Sequence, residues 1–238
     1  MNKINIAVIV PSYNESASLK ILVNKILKHL KEVKIIIVDD SSKIENQKIK
    51  NLIGNLNNKN IKLISRDKKL GRGSAVIDGF IEALKNKNIQ YFFEMDSDLS
   101  HKPEEFNLFI NKINKESFDL IIGSRYLKES KLINWSKKRI ISSKIINKML
   151  DLLLKLNISD YTNGFRLYNR KAIKYLVKAK LKSKGFIVLS ETALKLNQKG
   201  FKISEVPITF MERRYGQSSV GPGEFINAII GILKIKYF

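Results

Sequence analysis

A chain of 238 residues with 44% hydrophobic content is long enough to bury a substantial core and reads as globular rather than disordered, with one domain as the simplest organisation. It contains no cysteine, which excludes a disulfide framework and a thiolate metal site. Its formal charge of +22 favours an anionic partner such as nucleic acid, a phosphorylated substrate or an acidic membrane, although lysine is spread so widely that most of it reads as solvated surface.

The N-terminal residues enter an apolar strand pattern at once and show no small-residue cleavage site, so no signal peptide is expected. No uninterrupted apolar stretch reaches the roughly 18 residues of a spanning helix, and a cytoplasmic location follows as the expectation. Residues 6–10 read as the first strand, and residues 18–30 as a helix with apolar positions at Leu19, Leu22, Val23, Ile26, Leu27 and Leu30. Further β-branched runs at residues 34–38, 61–64, 91–95 and 120–122 are nearly continuous in apolar character, as strands buried on both faces are. Strand and helix alternate, which predicts a parallel, doubly wound α/β sheet. Gly71-Arg72-Gly73 reads as a tight turn into a helix rather than a phosphate loop.

Beyond residue 126 the pattern changes. Residues 142–156 form an amphipathic helical stripe preceded by Lys128, Lys131, Lys137, Lys138 and Arg139, which fits an interfacial membrane helix or an ordinary core helix equally well. Residues 202–210 alternate as a strand interrupted by Pro207, and residues 224–238 form an apolar helical tail with Lys234 and Lys236 near its end.

Ligands of an open α/β sheet sit beyond the carboxyl ends of its strands. The segments there are Pro11-Ser12-Tyr13-Asn14-Glu15, Asp39-Asp40-Ser41-Ser42, Arg66-Asp67, Asp96-Ser97-Asp98 and Gly123-Ser124-Arg125-Tyr126. Carboxylates one residue apart in a turn can share a hard cation whose remaining positions go to phosphate oxygens. Alone, Asp96-Ser97-Asp98 would equally suit a solvated turn before Pro103; the other acids brought to the same sheet edge favour the functional reading. Arginine is scarce beside lysine, with eight in all, and nearly all sit in the unusual segments: Arg66 and Arg125 after strands, Arg139 in the basic flank, and Arg72, Arg166, Arg213 and Arg214 in the motifs below, where a planar, bidentate clamp on phosphate or carboxylate is useful. The two histidines, His29 and His101, do not suggest a metal site.

Taken in order, Val8-Ile9-Val10-Pro11-Ser12-Tyr13-Asn14-Glu15, Ile36-Ile37-Val38-Asp39-Asp40-Ser41-Ser42, Lys69-Leu70-Gly71-Arg72-Gly73, Met95-Asp96-Ser97-Asp98-Leu99-Ser100-His101-Lys102-Pro103 and Ile122-Gly123-Ser124-Arg125-Tyr126 resemble the motifs of family 2 glycosyltransferases with the GT-A fold. Within that family the likeness is to the dolichol-phosphate (polyprenyl-phosphate) mannosyltransferases. It continues through Asn163-Gly164-Phe165-Arg166-Leu167-Tyr168, Glu205-Val206-Pro207-Ile208-Thr209-Phe210 and Arg213-Arg214-Tyr215-Gly216, so one GT-A domain over residues 1–238 is implied.

The resemblance implies inverting transfer of mannose from GDP-mannose to dolichyl or polyprenyl phosphate, with Mg²⁺ or Mn²⁺, by a protein peripheral to the cytoplasmic face of a membrane, with room for a small anchoring subunit. It implies that Pro11, Tyr13, Glu15, Val38 and Asp40 hold the nucleoside, that Asp96, Ser97 and Asp98 hold diphosphate and metal, and that Arg125 and Arg213 contact phosphate groups. Asp96, Asp98 and Arg125 are then the catalytic candidates. The acceptor also needs a phosphate clamp beside an apolar slot, for which Arg125 and Arg139 are the candidates. Ser100 stands where some relatives place a glutamine metal ligand, so a hydroxyl or water is expected there; Ser219 replaces a lysine, with Arg214 as a substitute. The same donor motifs would serve another nucleotide sugar, such as UDP-glucose, with undecaprenyl phosphate or a polysaccharide. A basic nucleic-acid-binding domain would leave the post-strand acids unexplained.

Overall fold

The computed structural model describes residues 4–179, 181, 183, 185 and 187–212. The first half runs β1 (Ile6–Ser12), α1 (Ser16–His29), β2 (Lys34–Asp39), α2 (Lys43–Leu56), β3 (Ile61–Ser65), α3 (Arg72–Leu84) and β4 (Tyr91–Glu94). A 3-10 turn (Pro103–Glu105) leads into α4 (Phe106–Lys115), β5 (Leu120–Ser124), β6 (Lys131–Ile133) and α5 (Lys137–Leu154). The chain continues through β7 (Arg166–Asn169), α6 (Arg170–Leu176), α7 (Ile187–Gln198), β8 (Ile203–Pro207) and β9 (Thr209–Met211).

Seven strands form one sheet in the order β3-β2-β1-β4-β7-β5-β8, with only β7 antiparallel to its neighbours. β6 and β9 pair separately. The pleat divides the core into two layers. Ala7, Ile9, Ile36 and Val38 pack with Phe80 of α3 and with α6 and α7, whereas Val8, Val10, Ile35 and Ile37 pack with α1 and with Phe106 and Phe109 of α4. Gly79 is what allows α3 to lie this close: a Cβ there would sit 2.5 Å from Ile9 Cγ2. The expectation of a mostly parallel sheet with helices on both faces is met.

Three local expectations need correction. The helix expected at 142–156 begins at Lys137, because Ser136 accepts a hydrogen bond from the Arg139 amide and caps it there, and it ends before Lys155, which is left-handed at φ 52°. The single strand expected at 202–210 is two: β8 pairs with β5, Pro207 ends it for want of an N–H, and β9 pairs with β6. Arg166–Asn169, read only as part of a motif, is the antiparallel strand β7. The tail at 224–238, Arg213, Arg214 and Ser219 lie outside the described residues.

Candidate functional site

The carboxyl ends of β1, β2, β4 and β5 open into a cavity of about 1000 Å³. Its first wall comes from the β1 and β2 loops. Asn14 adopts φ 58°, which asparagine tolerates, and donates its amide to Ser41 Oγ at 2.7 Å. The Ser97 hydroxyl lies 2.9 Å from the Pro11 carbonyl and also reaches the Glu15 carboxylate, which ties the first loop to the acid turn. Tyr13 is 44% exposed, with the Lys69 ammonium 3.9 Å over its ring.

Two acids that look alike in sequence separate here. Asp39 is fully buried and accepts hydrogen bonds from Ser41 Oγ at 2.5 Å and Asn46 Nδ2 at 2.7 Å, so it folds its own loop. Asp40 lines the cavity but accepts from Arg66 and from the amides of Leu70 and Gly71, each at 3.0 Å. The expected donor residue Val38 is not brought to the cavity: its side chain faces the core beside Gly79 and is fully buried.

The acid turn is held from several sides. Arg72 donates from Nε and Nη2 to Asp96 Oδ1 at 2.9 and 2.8 Å, and from Nη1 to Glu94 Oε1 at 2.5 Å. Burial opposes its charge, but Asp96 and Glu94 more than compensate and raise its pKa. Gly164 makes room for this guanidinium, since a Cβ there would collide with Nη2 and lie 2.9 Å from Cζ. Asp98 Oδ1 accepts from the amide of Ser100 at 2.9 Å and from its hydroxyl at 2.5 Å. Ser100, expected as a metal ligand, is 1% exposed and turned onto Asp98, so it orients that carboxylate and does not face the cavity. His101 accepts the Asp96 amide at Nδ1, which leaves Nε2 to donate to Asn163 Oδ1 at 2.8 Å, and its ring stacks on Phe165.

Among the described residues no group of three or more His, Cys, Asp or Glu side chains suits a metal ion. Asp96 and Asp98 still fit Mg²⁺ or Mn²⁺ of the kind that takes one or two carboxylates and completes its shell with substrate phosphates and water.

The opposite wall is basic and aromatic. Arg125 donates from Nε and Nη2 to the two oxygens of Asp160, both at 2.7 Å, and from Nη2 to Thr162 Oγ1 at 2.7 Å. Asp160 is fully buried and also accepts the amides of Arg125, Thr162 and Asn163. Glu205 fixes the turn below it by accepting the amides of Ser159 at 2.8 Å and Asp160 at 3.0 Å. Burial raises the Glu205 pKa more than these bonds lower it. Arg139 reaches Glu212 at 3.2 Å and lies 4.0 Å over the Trp135 ring.

One cavity therefore gathers Pro11, Tyr13, Glu15, Asp40, Asp96, Ser97, Asp98, Arg125 and Arg139, while Val38 and Ser100 stand off it. Sequence reading missed Arg72, Glu94, Asp160 and Trp135. Glu94 left a trace, as an acid closing the otherwise apolar strand Tyr-Phe-Phe-Glu. Not every arginine is a clamp for an anion: Arg166, fully buried, donates to the carbonyls of Asn163, Leu189 and Tyr161, and Arg170 to those of Leu84, Asn86 and Ile89.

The family model described as glycosyl transferase family 2 matches residues 7–177. Polyprenol monophosphomannose synthase of Mycolicibacterium smegmatis is 31% identical over 225 residues, covering 94% of this chain and 84% of that protein. Undecaprenyl-phosphate mannosyltransferase of Micrococcus luteus is 29% identical over 226 residues, covering 95% and 91%. Among solved structures, glucosyl-3-phosphoglycerate synthase from Mycobacterium tuberculosis, in complex with Mn²⁺, UDP and phosphoglyceric acid, superposes with a TM-score of 0.66 at 14% identity over 98% of this chain and 79% of that one. At that identity the likeness speaks to the fold alone.

Proposed function

This chain belongs to glycosyl transferase family 2 and has the GT-A fold, and from that premise we propose that it transfers mannose from GDP-mannose to a polyprenyl phosphate such as dolichyl phosphate, as one catalytic domain. The observation that carries this reading is the division of one cavity between an acid turn, Asp96 to Asp98, and a wall bearing Arg125 and Arg139. A nucleoside diphosphate and a phosphate acceptor are both anionic; the first needs a cation between itself and carboxylates, and the second meets guanidinium directly. Mannose and the lipid phosphate are supported by the names of the two bacterial relatives, and guanosine by the motif resemblance.

The acceptor phosphate is ionised at neutral pH, its second pKa being about 6, so the site needs no strong general base. Arg125, immobilised by Asp160, holds the phosphate so that one oxygen faces the anomeric carbon. That oxygen forms the new bond as the bond to the diphosphate breaks, and single displacement inverts the configuration. A divalent cation held by Asp96 and Asp98 supplies charge stabilisation for the departing diphosphate. Tyr13, Glu15 and Asp40 frame the nucleoside end of the cavity, and Arg72 keeps Asp96 in place. Gly164→Ala is accordingly expected to push Arg72 off Asp96 and lower turnover about ten-fold or more with little change in thermal midpoint. An unaltered rate would show that the Arg72 pairing is dispensable.

The direct test offers labelled nucleotide sugars, one at a time, with polyprenyl phosphates. Label from GDP-mannose should enter the organic phase. Transfer from UDP-glucose instead would overturn the donor assignment, and transfer only to soluble acceptors the lipid one.

The lipid acceptor also calls for a peripheral protein. Among the described residues no helix is long and apolar enough to cross a membrane. α5 buries Leu150 and Leu154 but exposes Ile141 (58%), Ile145 (49%) and Leu152 (64%) on its opposite face, beside Lys144 and Lys148. We read this face as docking on the cytoplasmic leaflet, alone or with a small membrane subunit. The protein should float with anionic vesicles and be released in large part by high salt, since each basic residue near the surface contributes about 1 kcal/mol. Replacing Ile141, Ile145 and Leu152 together by serine should weaken partitioning about a hundred-fold. Wild-type protein that stays at the bottom of the gradient at low salt would rule this docking out.

A further inference from the structure

Trp135 is the only tryptophan of the chain, and its ring is a contact shared by both guanidiniums of the basic wall. It sits between β6 and α5. Asn134 before it takes φ 63°, and Ser136 after it caps the helix, so the indole faces the Arg139 side chain of the first turn. The Arg139 guanidinium lies 4.0 Å and that of Arg125 5.6 Å from the ring centroid, and Phe210 meets the ring edge-on at 5.3 Å. The indole Nε1–H is buried with no hydrogen-bond partner among the described residues.

Two guanidiniums on one wall repel each other. Arg125 is locked by the buried Asp160, and Arg139 pairs at 3.2 Å with Glu212, whose side chain is 47% exposed. An aromatic face attracts both cations without neutralising either, which leaves their charge available to an anion. We infer that Trp135 is a positioning residue for the acceptor phosphate: its indole holds Arg139 beside Arg125, so that the two guanidiniums form a clamp before the acceptor arrives. This rests on the reading of Arg125 and Arg139 as the acceptor-phosphate site. An anion that draws Arg139 toward itself must change the surroundings of the indole, so the emission of Trp135 reports occupancy.

The test uses the full chain, with geranyl phosphate as a short acceptor. In steady-state assays Trp135→Leu should raise the acceptor KM about ten-fold, more than it changes kcat or the donor KM, and Trp135→Phe should recover most of the loss. Wild-type tryptophan emission should change saturably with geranyl phosphate near the acceptor KM, and Arg139→Ala should abolish that change. An acceptor KM within two-fold of wild type in Trp135→Leu, while Arg139→Ala raises it, overturns the role of Trp135 and leaves the clamp standing. An unchanged acceptor KM in Arg139→Ala overturns the clamp itself. If Trp135→Leu does not fold, the wild-type titration decides: emission that is unmoved by geranyl phosphate, or that responds only to the nucleotide sugar, overturns the inference.

Discussion

Replacing Asp98 by asparagine is expected to reduce sugar transfer by about a thousand-fold or more while leaving the fold intact. The amide keeps an acceptor oxygen for the Ser100 amide and hydroxyl, which bind Asp98 Oδ1 at 2.9 and 2.5 Å, so the turn has little reason to move. What disappears is a carboxylate charge on the cavity wall, the feature that a hard cation and a diphosphate require. Asp96→Asn should behave likewise in catalysis, with Glu94 still available to Arg72. Transfer rate, far-UV circular dichroism and thermal midpoint measured together make the check, with excess chelator applied to the wild type as the parallel arm. Activity that persists in Asp98→Asn, or in chelator, would sink the metal assignment.

The parts of the fold that sequence made legible are those governed by local period. β1, β2, β4 and β5 announce themselves because strands covered on both faces are apolar at nearly every position, and α1 because Leu19, Leu22, Val23 and Ile26 recur on one buried face, whereas β3, at the sheet edge with Lys62 and Ser65 exposed, shows only through Ile61, Leu63 and Ile64. β7 does not, since it has four residues, begins with Arg166 and ends with Asn169. The site divides along the same line. Residues that follow strands, such as Asp96 and Arg125, are placed by topology at an edge that can be foreseen. Pairings such as Arg72 with Asp96, 24 residues apart, or Arg125 with Asp160, 35 apart, depend on how crossovers bring loops together, which no short window contains. Val38 lies within β2, where both faces are covered, so the pleat sends Ile37 into one core layer and Val38 into the other, and the chain reaches the cavity only beyond the strand end, at Asp40.

Asp160→Ala is expected to be the most destabilising change at the basic wall, because it strips a buried guanidinium of its counter-ion. Side-chain exposure is 8% for Arg125 and 0% for Asp160, and breaking such a pair from one side costs about 3–5 kcal/mol. Turnover should fall as well, about a hundred-fold, since Arg125 loses the bidentate anchor that fixes its plane. The pH dependence has a definite sign. Burial alone would raise the pKa of Asp160, but the Arg125 charge and hydrogen bonds from Arg125 and Thr162 outweigh it and leave the carboxyl below its ordinary value. A folded-state pKa below the unfolded one means that the stabilisation is fully present above the unfolded value of about 3.9 and is lost as pH falls through the folded value. The gap in unfolding free energy between wild type and Asp160→Ala should thus be widest near neutrality and narrow below about pH 4. Urea unfolding of both proteins at several pH values reads it directly. Equal stabilities at pH 7, or a gap that stays constant into acid, would show that the Asp160 carboxylate does not support the wall through its charge.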